Sequence, residues 1–157
     1  MLLALVLLAS VGAGIVGGVF FAFSTFVMKA LSELSVPAGV AAMQRINVVV
    51  INPLFMAAFL GTSLLSIGCA VSSITPWNGT PSVLLLAAAL LYLVGSLGVT
   101  LFFNVPRNER LARLTSGSPE AAAYWPKYLH EWVRWNHVRT FASVASAACS
   151  TASMAVL

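Results

Sequence analysis

Four long apolar stretches alternate with three shorter polar ones along this chain, and the spacing predicts helices rather than strands. The apolar stretches cover about 2–28, 46–71, 83–103 and 136–157. Each reaches the roughly 20 residues an α-helix needs to cross ~30 Å of hydrocarbon. Runs of Leu, Ala, Val and Phe continue without the period-two alternation of barrel strands. The pattern predicts an all-α fold: a bundle of four transmembrane helices forming a single membrane domain over residues 1–157. A helical cytoplasmic connector at about 104–135 is expected between spans three and four.

Punctuation within the stretches refines this picture. The first span carries Gly12, Gly14, Gly17 and Gly18, and the Gly14-xxx-Gly18 spacing permits close approach of a neighbouring helix. Ser35 followed by Pro37 reads as a helix start with a capping hydroxyl. Asn52-Pro53 predicts a kink in a helix that continues from its amphipathic start into span two, with Arg45 and Asn52 on one face. Residues 72–82 read as a short uncharged loop, rich in turn residues over 75–81. Ser118-Pro119-Glu120 is a second helix start, which Trp125-Pro126 is expected to interrupt. The last span is rich in Ala and Ser, the composition of a closely packed membrane helix.

Composition turns these helices into membrane helices. The chain is 60% hydrophobic and 8% charged, more apolar surface than a soluble domain of 157 residues can bury. In lipid every backbone polar group must be satisfied internally, which helices do. The partner implied is therefore a lipid bilayer. The first stretch lacks an N-terminal Lys or Arg and is too long for a cleaved h-region, so it reads as a retained span.

The net charge of +4 carries topology and no nucleic-acid signal. Lys29 and Arg45 flank the first connector, while Arg107, Arg110, Arg113, Lys127, Arg134 and Arg139 flank the third. The positive-inside rule then places both connectors in the cytoplasm and both termini outside. Cys69 and Cys149 lie within apolar runs without metal-ligand spacing and read as small buried hydrophobes, with nothing to support a disulfide.

The candidate chemistry concentrates in Trp132-Val-Arg-Trp-Asn-His-Val-Arg-Thr140, at the entrance to the last span. At the same expected depth lie Ser24, Thr25, Arg45, Asn47, Asn52, Asn104 and Asn108. Polar groups facing lipid are costly, so this convergence suggests an enclosed polar pocket open to the cytoplasm. His137 is the candidate with an ordinary pKa suited to proton transfer. Arg139 and the Asn side chains suit stabilisation of a developing oxyanion. Trp132 and Trp135 offer flat stacking surfaces, with Asn136 between them and His137.

Plainer roles compete with each of these. A boundary His is often structural, paired Trp form interfacial belts, Arg134 and Arg139 can snorkel to phosphates, and Asn residues bridge helices. His130, Glu131 and His137 are a poor ligand set without HExxH spacing, so no metal is expected. No phosphate loop, nucleophile elbow or haem-attachment motif is present, and no cofactor is expected.

Several segments together resemble a known family. They are Gly17-Gly-Val-Phe-Phe-Ala-Phe-Ser-Thr-Phe26, Ala42-Met-Gln-Arg-Ile-Asn47, Asn52-Pro53, Phe103-Asn-Val-Pro-Arg-Asn108 and Trp135-Asn-His-Val-Arg-Thr140. In this order they resemble the anthrone oxygenase-like integral membrane family (DUF1772), with a bacterial inner membrane as the expected location. The resemblance implies O2-dependent oxidation of an anthrone, an aromatic polyketide-type substrate, at its central methylene, without metal or flavin. Carried onto these residues, it implies His137 as base and Arg139 with Asn104 or Asn108 as oxyanion partners. Trp135 would be the stacking wall. Trp132, Asn136, Asn52, Asn47, Arg45 and Thr25 complete the expected substrate-binding set. The alternative is a non-enzymatic membrane module that binds or passes a hydrophobic small molecule, or a structural subunit of a membrane complex. The Gly and Ser faces would also accommodate a homo-oligomer.

Overall fold

The computed structural model describes residues 2–156 as five helices. We label them α1 (Leu2–Ser32), α2 (Val36–Val49), α3 (Pro53–Ile74), α4 (Thr80–Ala112) and α5 (Pro119–Met154). Residue 157, the end of the expected fourth span, lies outside the described residues. Helices α1, α3 and α4 are long and apolar enough to cross a membrane. At 36 residues α5 has length to spare, but Ser and Thr dilute its apolar half.

Helix α5 packs along α1 and α4, and α3 closes the ring by packing on the same two. The inward face of α5 beyond residue 140 is Ala142, Ser143, Ser146, Ser150 and Ser153. Small side chains let the backbones approach, and their hydroxyls find partners across the seam. Ser146 donates to Ala88 O at 2.8 Å, and Ser143 to Ser96 Oγ at 3.0 Å. Gly95 sits against Ala142, where a Cβ on the glycine would collide with the alanine methyl.

The glycines of α1 divide differently from expectation. Gly12 abuts Thr62 on α3 and Gly17 abuts Ser143 and Val144 on α5. Gly14 and Gly18 face outward and meet no neighbour. The Gly14-xxx-Gly18 spacing therefore serves no contact inside this bundle. At 3.6 residues per turn the contact face of α1 follows Val6, Ala9, Ala13, Val16 and Phe20, and Gly12 and Gly17 lie beside it.

Three layers of core fill the ring from end to end. Val6, Ala9, Cys69 and Leu85 form one terminal layer. Ala13, Val16, Phe20, Phe59 and Tyr92 form the middle. The other terminal layer is larger and aromatic, with Met28, Met43, Leu111, Tyr124, Trp125, Tyr128 and Trp132. Both cysteines are free thiols.

Three local expectations are corrected. Asn52-Pro53 does not kink one helix but separates two. Residues 50–52 leave the helix, Asn52 turns extended, and its Oδ1 caps α3 by accepting from Phe55 N at 3.0 Å. Asn at the cap with Pro in the first turn favours a fresh start over a bend. Ser35 occupies the cap position of α2, but its hydroxyl makes no capping bond there. Pro126 does not interrupt α5, which runs through it. One lost backbone bond is outweighed where Tyr124, Trp125, Tyr128 and Trp132 all anchor the same helix face in the aromatic layer.

The expected helical connector at about 104–135 is helical over 105–112 and 119–135, where it continues α4 and α5, with 113–118 joining them. The charges mark a depth and do not end the helices. Ser118 does cap α5, accepting from Ala121 N at 3.1 Å. Gln44 on α2 donates to Leu111 O and Leu114 O, each at 2.8 Å, tying α2 to the carbonyls at and just past the C-terminal end of α4.

Three π-helical departures shape the interior. Residues Phe23–Val27 of α1 are π-helical, as are Leu91–Gly98 and Thr100–Asn104 of α4. Such turns accommodate an extra residue and commonly mark functional positions. Here both borders of the aromatic layer carry one.

Candidate functional site

A cavity of about 390 Å³ lies between the middle layer and the aromatic end layer. Its walls are mainly apolar: Phe20 and Phe23 from α1, Phe55 and Phe59 from α3, and Leu97 and Leu101 from α4. Phe55 stacks parallel to Phe59 at 6.0 Å, and Phe20 meets Phe59 edge-on at 6.2 Å. Polar groups converge on the cavity from Arg139, Asn47, Asn108, Thr100 and Trp132.

Arg139 is the focus. It is 5% exposed, and none of the ion pairs among the described residues includes it. Its Nη2 donates to Asn136 Oδ1 at 2.6 Å and its Nη1 to Thr100 Oγ1 at 3.2 Å, while Nε has no partner. The guanidinium lies 4.1 Å from the Phe20 ring and 5.0 Å from the Trp132 ring. Those ring faces offset part of the cost of burying a charge, but a desolvated cation without a counter-ion still costs several kcal/mol.

Asn136 holds that arginine in place. Fully buried, it donates through Nδ2 to Phe20 O and to Ser24 Oγ, both at 2.7 Å, and so presents Oδ1 to Arg139. Phe20 precedes the π turn of α1, where the helical ladder is irregular and a carbonyl can serve a side chain.

Asn108 is oriented just as firmly. Its Oδ1 accepts from Tyr128 Oη and from Trp132 Nε1, each at 2.8 Å, so the amide nitrogen is its remaining donor. Burial pushes the Tyr128 phenol above the usual tyrosine range, so Tyr128 stays a donor. Asn47 Nδ2 is itself buried without a partner. Two buried donors, Arg139 Nε and Asn47 Nδ2, are thus unspent in residues that line one cavity.

The remaining expected site residues lie elsewhere. His137 is exposed and lines a groove of about 520 Å³ between α1 and α5, together with Thr25. Helical geometry sets residues two apart on roughly opposite faces, so His137 and Arg139 do not share a pocket. Thr25 turns back to donate to Phe21 O at 2.7 Å. Arg45 and Asn52 line a shallow recess of about 330 Å³ at the α2–α3 elbow, and Asn52 is occupied as a cap. Asn104 is fully buried and fastens α4 to α5 by donating to Trp132 O at 3.3 Å. Trp135 stacks on Phe103 at 3.7 Å, outside the cavity.

Glu131 is engaged by Arg107 at 3.0 Å and by Lys127 at 3.7 Å. Among the described residues no three of His, Cys, Asp or Glu gather as a metal-ligand group.

Tyr128 and the Phe residues were absent from the expected set. A signal for Tyr128 did exist, since Tyr128, Trp132, Asn136 and Arg139 fall at helical spacing and all point inward.

No curated protein and no solved structure matches the chain. The family model described as anthrone oxygenase matches residues 45–149, two thirds of the chain, and covers α3, α4, and the parts of α2 and α5 that line the cavity. The chain belongs to the anthrone oxygenase family.

Proposed function

We propose that the cavity binds a flat, anthrone-type aromatic substrate and that O2 oxidises it there to the quinone. One observation carries this reading: a buried guanidinium without a carboxylate partner, set at the edge of an aromatic cavity. Such a group favours an anion in the same space. The central methylene of an anthrone is acidic because its anion places charge on the ring oxygen.

Arg139 and the donors of Asn47 and Asn108 stabilise that oxygen in a water-poor site. Loss of the methylene proton to water leaves the carbanion-enolate. Its electron pair forms a C–O bond to O2, giving a peroxide that takes up one proton. Loss of the second C–H proton and cleavage of the O–O bond then release water and leave the new carbonyl. One oxygen atom ends in the quinone and the other in water, and no further reductant is consumed.

The setting is proposed as a four-span membrane bundle with α5 as the fourth span. Its apolar half is sheltered by α1 and α4, which explains how a Ser-rich helix is accommodated. All eight Lys and Arg lie towards the aromatic end layer, supporting a cytoplasmic location for that end and outside termini in an inner membrane. The exposed rim of the cavity is apolar, formed by Ile51, Leu60 and Leu101, which favours substrate entry from the bilayer over entry from cytoplasmic water.

A second reading rests on a different observation. No His, Asp, Glu or Lys lines the cavity among the described residues. A module that only binds a hydrophobic anion needs no base, and this cavity would serve it. Purified protein with anthrone, with and without O2, separates the two. O2-dependent quinone formation above autoxidation, lost in Arg139→Met, supports the oxygenase. Binding of anthrone with no rate above background leaves the binding module.

A further inference from the structure

The groove that holds His137 is separate from the cavity and has a chemistry of its own. It runs between the C-terminal part of α1 and the middle of α5, with an apolar floor that includes Met28 and Val133 and basic walls from Lys29, His130, Arg134 and His137. These four basic side chains are solvent-exposed. No acid lines the groove among the described residues, and Glu33, just past the end of α1, pairs with Lys29 at 3.0 Å. Arg134 makes no ion pair among the described residues, its guanidinium lying 6.0 Å from the Trp135 ring. The other acid of this part of α5, Glu131, is drawn away by Arg107 and Lys127.

The groove thus combines a free guanidinium, an ammonium and two imidazoles above a hydrophobic floor. It lies beside the apolar length of α1, a helix long and apolar enough to cross a membrane. A phosphodiester on an acyl chain matches both halves at once: phosphate against the basic walls, hydrocarbon against Met28 and Val133. We infer that this groove is a binding site for the headgroup phosphate of an anionic phospholipid. Basic pockets between membrane helices at a cytoplasmic boundary recognise such headgroups. A bilayer supplies this ligand at high local concentration, and the acyl chain continues along the apolar side of α1, which a soluble phosphate cannot do.

The test is native mass spectrometry of the full chain from mixed micelles of phosphatidylglycerol and phosphatidylcholine, with variants checked for retained helicity. Wild type is expected to retain phosphatidylglycerol in preference. Arg134→Gln and Lys29→Gln should each weaken that preference about fivefold. Arg113→Gln, a cation outside the groove, should leave it unchanged. Equal retention of the two lipids by wild type overturns the site, as does an equal loss in Arg113→Gln and Arg134→Gln. Inorganic phosphate bound as strongly as the lipid at equal concentration overturns the lipid assignment in favour of a soluble phosphate. Because the readout is lipid retention, it is independent of anthrone turnover.

Discussion

His137 and Arg139 are two residues apart on α5 and serve different spaces: Arg139 enters the aromatic cavity, His137 the open groove beside α1. The separation makes their variants diagnostic. Arg139→Met is expected to lower kcat/KM for anthrone oxidation by about 10²–10³, the usual effect of removing a main oxyanion donor. His137→Ala should leave it within about twofold. Steady-state kinetics on both proteins measures this, and a collapse in His137→Ala with Arg139→Met unaffected would reverse the assignment of roles.

Asn136 couples α1, α5 and the guanidinium through one side chain. Asn136→Ala removes those bonds and leaves Arg139 buried with still fewer partners. The expected loss is about 3 kcal/mol of stability, within the range for breaking a buried charged network. Thermal unfolding in detergent reads it, and a midpoint equal to wild type would show that Arg139 finds other support.

Gly95 and Ala142 form a contact with no room for a further carbon, whereas Gly18 faces outward. Gly95→Val should therefore cost about 1–3 kcal/mol by overpacking, and Gly18→Val should be nearly neutral. The double variant Gly95→Ala with Ala142→Gly should recover most of the loss in Gly95→Ala alone. Absence of that recovery would argue against a direct clash.

Tyr128 supplies a pH dependence. Its phenol is held neutral by burial, so its folded pKa lies above the unfolded value of about 10. The sign follows from linkage: the stabilisation is complete below that unfolded value and is lost as pH rises from it towards the folded pKa. Unfolding midpoints measured across alkaline pH should fall less steeply for Tyr128→Phe than for wild type. Parallel slopes would mean that this phenol ionises as freely as one in water.

Much of this architecture is written in local patterns. Apolar run length marks α1, α3 and α4, and Ser118-Pro119 marks the start of α5. Residues 132–140 do contain the central arginine and its holder. What pattern reading confuses is depth with direction. Asn47, Asn108, His137 and Arg139 share a depth, but three of them line the cavity and His137 does not. Depth follows from position along a helix, whereas direction follows from its rotation, which packing of small residues decides. The helix ends were obscured for a related reason, since charge marks where lipid stops and helices continue beyond it. Asn52 was misplaced because Asn before Pro both bends and caps, and only the surrounding chain selects between them.

The π turns of α4 have a consequence for how this sequence can vary. An added residue in a regular helix rotates everything after it by ~100°, which usually ruins the packing. In α4 the wider turns at Leu91–Gly98 and Thr100–Asn104 absorb such additions before Asn108 is reached. Removing one residue from either stretch offers the chain a plain α-helix, locally easier to form, but with Asn108 rotated away from Tyr128 and Trp132. A shortened chain of this kind would fold and insert while its aromatic cavity lost its polar edge. Length variation along α4 is thus a way to retire the chemistry and keep the bundle.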